Sequence, residues 1–309
     1  MSDDPPGDTD RRRGTTVLGR RANGPFRAIR RALAVGCLVV VAGVPARPVP
    51  ASPAPTTLWV AQMNLCNSGR AACYTGRAVP RAAELIRTER PDLVTLNEIC
   101  QDDVPTLEAV FATVHGRARV TSAFQAAGDR PSSADTRCRN GRAYGIGLLA
   151  RLPTTASRYT VHSGIHPAQD LADPEERPWL CVHVEGGLNA CTTHLAATSR
   201  SVALAQCGQL IDGILPAIRR RTGYAPTVLS GDLNLRPGDV GTCVPPGHPR
   251  VGDGAVQHIV ASDDISLCCA RSVDMDGATD HPALLATLVV GCARPAGQSS
   301  SSSGSRSCS

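Results

Sequence analysis

The chain has 309 residues and a formal net charge of +5, set by 32 basic residues, all of them arginine, against 27 acidic ones. Nine of the arginines and four of the acids fall in residues 1–51, which leaves 23 of each sign in the remainder. The positive balance therefore belongs to the leader and is no argument for a nucleic-acid-binding surface. The lack of lysine also means that any basic contact to a phosphate must come from the planar fork of arginine.

At the N-terminus, Arg30-Arg31 precede an uncharged apolar run from Ala32 to Val44, and small residues follow at Ala46 and Ala51. This is the order of a secretory signal, and the run is shorter than the roughly 20 residues of a bilayer span. The expectation is a removed leader over 1–51, a secreted and soluble domain over 52–297, and a disordered Ser-rich tail over 298–309. No stable membrane insertion is expected, and Ala34-Val35-Gly36 makes a poor lipobox before Cys37.

Leu58–Met63 reads as a strand carrying Asn64 at its end. Arg77–Arg90 has Val79, Ala82, Ala83 and Ile86 at helical spacing, and Pro91-Asp92 stops it. Leu93–Leu96 is a second strand ending at Glu98, and Asp103–Val114 a second helix. The Gly-, Ser- and Arg-rich stretch 126–142 reads as a long surface loop. Strands are expected over 145–150, 157–161, 179–184 and 188–193, the last two joined by a Gly186-Gly187 hairpin turn. A helix over 199–221 is disturbed at Pro216, a buried strand over 227–230 delivers Asp232 and Asn234, and strands over 255–261 and 283–290 close the domain. Strands outnumber helices without a simple βα alternation, which points to two mixed sheets packed face to face with helices outside.

Twelve of the 13 cysteines follow the leader. In an exported chain an even count reads as disulfides, with Cys66/Cys73 and Cys181/Cys191 placed to staple a loop and a hairpin. No CxxC pair is present, and vicinal Cys268-Cys269 cannot easily serve one zinc. The rest of the connectivity stays open.

Five short polar words end or follow the apolar runs: Met63-Asn64-Leu65, Leu96-Asn97-Glu98, Thr192-Thr193-His194-Leu195, Gly231-Asp232-Leu233-Asn234 and Thr279-Asp280-His281-Pro282. Each has an ordinary explanation on its own: Glu98 as a solvated loop residue, Asp232 and Asn234 as an Asx turn, His194 as a structural imidazole. Together they supply a carboxylate for a hard divalent cation, a carboxylate and an amide on one side of an extended segment, and imidazoles for proton transfer and phosphoryl contact. His115, His162, His166, His183, His248 and His258 have no such setting and read as surface or packing residues.

In order and spacing, these words resemble the endonuclease/exonuclease/phosphatase superfamily over residues 57–291. The resemblance implies a four-layer α/β sandwich of the DNase I type, with two mixed β-sheets packed face to face and the site at one end of them. It implies metal ligation by Glu98, with Asn64 or Asp280, and magnesium as the ion, with manganese or calcium as alternatives. It also implies catalytic roles for His194, Asp232, Asn234 and His281, and phosphate contact by His194, Asn234 and Arg177, although Arg177 reads equally well as a surface residue. One departure stands out: Gln257 occupies the place of an aspartate that orients the catalytic histidine in relatives, so an imidazolium at His281 loses a carboxylate partner unless Asp253 or Asp264 replaces it.

The functional expectation is a secreted metal-dependent phosphodiesterase, nuclease-like, using metal-assisted attack of water on a phosphate ester, with nucleic acid among its partners. A phosphatase or sphingomyelinase-like phospholipase is the alternative, and a non-catalytic binding module on the same scaffold a third reading. Arg130, Arg137, Arg139 and Arg142 make the 126–142 loop locally basic, either to follow a phosphate backbone or simply as solvated charge. The oligomeric state is not legible; a monomer is the default.

Overall fold

A computed structural model describes residues 55–115, 119–153 and 158–291; the expected leader and the Ser-rich tail lie outside the described residues. With strands numbered along the chain, the first six-stranded sheet runs β14 (Ile265–Val273), β15 (Ala283–Val290), β1 (Thr56–Asn64), β2 (Leu93–Cys100), β6 (Tyr144–Leu152), β3 (Arg119–Ala126). The second runs β12 (Arg250–Gly252), β13 (Gln257–Ala261), β11 (Thr227–Asp232), β10 (Asn189–His194), β9 (Pro178–Val184), β7 (Tyr159–Ile165). Each sheet has one central parallel pair, β1 with β2 and β10 with β11, flanked by antiparallel neighbours. Parallel neighbours need a crossover, and these are supplied by α1 (Ala78–Glu89) and by the helix from Arg200 to Thr222.

Alternation along the strands builds the layers. Val60, Leu93, Ile146 and Leu148 of the first sheet meet Leu180, Val182, Val228 and Ile259 of the second in one apolar cluster. The opposite face, with Ala61, Met63, Val94, Leu96 and Leu149, packs on α1 and on α2 (Asp103–His115). Leu229 and Val260, on the outer face of the second sheet, pack on Ala203, Leu210, Leu215 and Ile218 of the long helix. The result is helix, sheet, sheet, helix: the four-layer sandwich. The core draws mostly on Ala, Val and Leu; Phe111 is its largest fully buried side chain.

Local chemistry explains the helix ends. Arg90 takes a left-handed φ of 51° and returns its N–H to Ile86 O, and Pro91 then prevents continuation. Ser199 caps the helix that begins at Arg200 by accepting a bond from Val202 N. This helix passes from α3 (Arg200–Gly208) through a π segment over Gln209–Ile214 into α4 (Leu215–Thr222). Pro216 has no N–H to donate and crowds the preceding turn, and the widened π turns directly before it absorb that conflict. Arg200–Thr222 is long and apolar enough to cross a bilayer, at mean hydropathy 1.3, but its apolar side is spent on the second sheet and Cys207 is bonded to Cys243 at the end of α5 (Pro237–Cys243).

Several expectations need correction. The 126–142 stretch is not a plain loop: it contains β4 (Gly128–Asp129) and β5 (Ala134–Asp135), which join β8 (Glu175–Glu176) in a small third sheet, and Cys138 is bonded to Cys100. The strand expected over 157–161 is β7, shifted to Tyr159–Ile165, and Ser157 lies outside the described residues. β3, β12, β14 and α5 carried too weak a period to be found. Cys66–Cys73 and Cys181–Cys191 are both disulfides; the second joins residues directly paired across β9 and β10. Cys269 is disulfide-bonded and Cys268 is an exposed free thiol.

Candidate active site

The carboxyl ends of the four parallel strands meet at one rim. Asn64 ends β1 opposite Asn97 of β2, and His194 ends β10 opposite Asp232 of β11. Beneath them the space between the sheets turns from apolar to polar. Thr95 and Ser230 hydroxyls lie 2.7 Å apart, and Asn97 Oδ1 accepts from Gln62 Nε2 at 2.6 Å and from the Asp232 backbone N–H at 2.7 Å. Asn97 Nδ2 donates to Thr193 O at 3.0 Å, so this one amide ties β2 to both central strands of the other sheet. The four side chains of Thr95, Ser230, Asn97 and Gln62 are buried and bonded, as an unsolvated polar layer requires.

Glu98 reaches the cleft through a backbone irregularity. The pairing of β2 with β6 slips between Asn97 and Ile99, and Glu98, the extra residue, has a φ of 55°. Strict alternation would send Glu98 to the helix face and Ile99 inward. The bulge turns the carboxylate into the cleft and leaves Ile99 packed beside Leu96 against α2. Gly231 is equally constrained: a Cβ there would stand 2.1 Å from Thr193 O on the adjacent strand.

A cavity of about 540 Å³ opens at this rim, lined by Glu98, Arg177, His194, Asp232, Asn234 and His281 among others. Asn64 sits under it and donates Nδ2 to Glu98 Oε1 and to Asp232 Oδ2, both at 3.0 Å, while its Oδ1 accepts from Cys66 N at 3.1 Å. Asn64 thus presents N–H groups to the two carboxylates while its oxygen accepts from Cys66 N. His281 Nε2 lies 3.7 Å from Asp232 Oδ2 and 3.8 Å from Asp280 Oδ1. Asp280 stands at the half-exposed rim, with an oxygen within 4.8 Å of the sulfurs of the Cys66–Cys73 disulfide. The GDLN word does form an Asx turn: Asn234, at a φ of 49°, donates its backbone N–H to Asp232 Oδ1 at 3.0 Å, and both residues line the cleft.

Arg177 is not a surface residue. It is 4% exposed, ion-paired with Asp173 at 2.7 Å and Glu175 at 3.1 Å, and its Nη1 lies 3.2 Å from His194 Nδ1. His194 Nε2 is 4.0 Å from Glu98 Oε1. Burial, reinforced by Arg177 and His281, holds the His194 imidazole well below its usual value, so the ring is neutral near pH 7. Burial pushes the Glu98 carboxyl upward against the lowering bond from Asn64, and pushes Glu175 up to about 7 despite Arg177. Tyr144, also buried in the wall, stays protonated because desolvation and the neighbouring carboxylates of Glu175 and Glu98 disfavour its anion.

Gln257 does not reach His281. Its Oε1 accepts from Asn64 N at 3.2 Å, and its Nε2 donates to Pro282 O at 2.6 Å and Asp253 Oδ2 at 3.3 Å. Asp253 is thereby engaged with Gln257, and Asp264 with Ser262, so neither replaces the orienting carboxylate. Asp232 is the buried carboxylate nearest His281. Of the basic loop, Arg137 lines the cleft, as does Arg70 from the Cys66–Cys73 loop, whereas Arg130 spends its guanidinium on the carbonyls of Leu171 and Asp173. The sequence reading missed Tyr144, Glu175, Asp173 and Arg70. A signal for Glu175 existed in the charged run Glu175-Glu176-Arg177 set directly against a buried strand.

Cation chemistry is limited by the donors present. Glu98 and Asp232 place carboxylate oxygens on either side of Asn64 in a partly desolvated cleft, a hard-oxygen set that suits magnesium, which takes one or two carboxylates and keeps much of its water. Two other groupings, Cys66/Cys73/Asp280 and Cys100/Asp102/Asp103, offer no thiolate because their cysteines are disulfide-bonded.

The sequence matches the Endonuclease/Exonuclease/phosphatase family over residues 61–281. Among curated proteins, no sequence matches. Solved structures share the fold. An endonuclease/exonuclease/phosphatase family protein from Bacteroides thetaiotaomicron is 14% identical at TM-score 0.52, over 76% of this chain and 98% of that one. The endonuclease/exonuclease/phosphatase from Beutenbergia cavernae DSM 12333 is 20% identical at TM-score 0.54, over 76% and 72%. D. rerio TDP2 complexed with single strand DNA product is 15% identical at TM-score 0.51, over 75% and 99%. With its strand topology and its rim of acids, amides and imidazoles, the chain belongs to the endonuclease/exonuclease/phosphatase family, whose members are phosphoester hydrolases that generally depend on a divalent metal.

Proposed function

We propose that this protein is a secreted, magnesium-dependent phosphodiesterase that cleaves nucleic-acid-like phosphodiesters by attack of water. The observation that carries the reading is the Glu98–Asn64–Asp232 bridge between the two sheets, opening into the same cleft as His194, His281 and Arg177. A divalent cation held by Glu98, with Asp232 or the rim carboxylate Asp280, would neutralise phosphoryl charge and the leaving oxygen. His281 takes the proton of the attacking water, and Asp232, 3.7 Å away, favours the resulting imidazolium; Asp232 is itself the alternative base. His194, neutral and buried, donates a ring N–H to a phosphoryl oxygen, joined by Asn234 and Arg177.

Arg70 and Arg137, both exposed in the wall of the cleft, are placed to take neighbouring phosphates of a longer chain. The single strand DNA product bound by the D. rerio relative supports that choice of substrate. A leader with the order of a signal peptide and four disulfides in the described domain support export to an oxidising compartment. The test is a panel of plasmid DNA, RNA, bis(p-nitrophenyl) phosphate, sphingomyelin and inositol phosphates, run with magnesium and again with EDTA. Nucleic-acid and diester turnover lost in EDTA is expected. Lipid-only turnover would assign the phospholipase reading, and turnover of nothing by folded protein would leave a binding module.

A further inference from the structure

Arg177, the buried cation of the cleft, is shared between Asp173 at 2.7 Å and Glu175 at 3.1 Å, and Glu98 and Asp232 bring two further carboxylates. Around Arg177, these four acids against one guanidinium and one divalent cation would leave one negative charge before the exposed Arg70 and Arg137 are counted. Arg177 Nη1 faces Glu175 and His194 and its Nη2 donates to Asp173, while its buried Nε has no protein partner. The exposed guanidinium groups of Arg70 and Arg137 line the same cleft, and Arg137 is partly offset by Asp135 at 3.8 Å.

Glu175 is also firmly placed. Its backbone N–H donates to Asp173 Oδ1 at 3.0 Å, and it pairs with Asp129 across the small third sheet. Arg130 N bonds Pro174 O at 3.0 Å, and the Arg130 side chain holds the carbonyls of Leu171 and Asp173. Three elements therefore converge to set one carboxylate against the guanidinium that lines the cleft. No part of the hydrolytic scheme uses Glu175.

We infer that Glu175 is a specificity residue that favours monoanionic phosphodiesters and rejects dianionic phosphomonoesters by occupying Arg177 and adding negative charge to the wall of the cleft. The inference rests on the phosphodiesterase reading above and names the substrate charge that the same site accepts. A diester carries one negative charge, whereas a monoester carries about two above its second pKa of about 6. One extra charge a few ångströms from a carboxylate in a partly buried site changes affinity by about tenfold.

The experiment compares bis(p-nitrophenyl) phosphate with p-nitrophenyl phosphate at about pH 8, where the monoester is dianionic. The ratio of kcat/KM should favour the diester in the wild type, narrow by about tenfold in Glu175→Gln, and persist in Glu175→Asp, which keeps the charge. A folded Glu175→Gln protein whose ratio stays within about twofold of wild type overturns the inference. A second measurement needs no variant: calorimetric binding of dimethyl phosphate and methyl phosphate to the wild type. Methyl phosphate should bind no tighter than dimethyl phosphate, and a tenfold or greater preference for it, by order of magnitude, overturns the inference. If the wild type hydrolyses neither ester, the phosphodiesterase reading fails, while the same binding comparison repeated with Glu175→Gln still decides the role of Glu175.

Discussion

Asn64 and Asp232 stand on different sheets, 168 residues apart in sequence, and are joined by a 3.0 Å hydrogen bond from the Asn64 amide to the Asp232 carboxylate. The same amide reaches Glu98 at 3.0 Å. One neutral side chain thus holds two like charges at a fixed separation. Asn64→Ala removes a donor from both and the turn at Cys66. Hydrolysis should fall by about 10–100-fold through loss of cation affinity, and urea denaturation should show a loss of about 1–3 kcal/mol for the unpaired buried acceptors.

Arg177 holds Asp173 and Glu175 in a buried setting. Removing the cation strands both acids, so Arg177→Ala should cost about 3–5 kcal/mol of stability and about 10²–10³-fold in kcat. Arg177→Lys supplies a point charge in place of a fork. It should recover most of the stability and little of the rate, a split that thermal melts and steady-state kinetics resolve.

His166 is buried, with Nε2 2.9 Å from Thr193 Oγ1, and burial lowers its pKa to about 4. A group depressed in the folded state binds more protons when unfolded, so its contribution is intact above about pH 6.5 and is lost as pH falls towards about 4. The loss by that point is on the order of 3 kcal/mol. Glu175, raised to about 7, acts with the opposite sign: its contribution is full below its ordinary pKa and fades as pH rises through about 7. The clean observable is therefore the difference between wild type and His166→Leu. Relative to wild type, the variant should gain stability progressively as the pH is lowered below about 6.5; a pH-independent difference would falsify the assignment.

Gln257 donates to Pro282 O and accepts from Asn64 N, and so fastens β13 to the turn that carries His281. Gln257→Asp introduces a carboxylate but cannot donate to Pro282, and it adds charge beside Asp253. A loss of about 1–3 kcal/mol and lower activity are expected. An increase in kcat with an altered pH profile would show instead that a carboxylate at 257 reaches His281.

The Cys100–Cys138 disulfide lies two residues beyond Glu98 and joins it to the loop that carries Arg137. The double Cys→Ser variant should lose about 4 kcal/mol by the loop-entropy estimate. Magnesium affinity, read by calorimetry, should weaken as well, because the bulge that aims Glu98 is then tied at one end only.

The sequence by itself singled out most of the polar groups that line the cleft. Glu98, His194, Asp232, Asn234 and His281 were legible because each directly follows or precedes an apolar strand-like run, and strand ends at one sheet edge are where a cleft forms. The closure of Cys181–Cys191 was equally local, set by a short hairpin. What the sequence could not carry was any relation that depends on two distant segments meeting. Gln257 looked like a defect in the catalytic histidine's support until the fold placed it under Asn64. Arg177 read equally as a phosphate contact or a surface residue until a loop beginning near residue 166 and a third sheet enclosed it. Glu98 itself is aimed by a bulge, and a one-residue slip in pairing leaves no mark in a hydrophobic period. Local side-chain chemistry and period are properties of a few neighbouring residues, whereas burial, charge pairing and aim arise from long-range contacts and are decided only when the two sheets close.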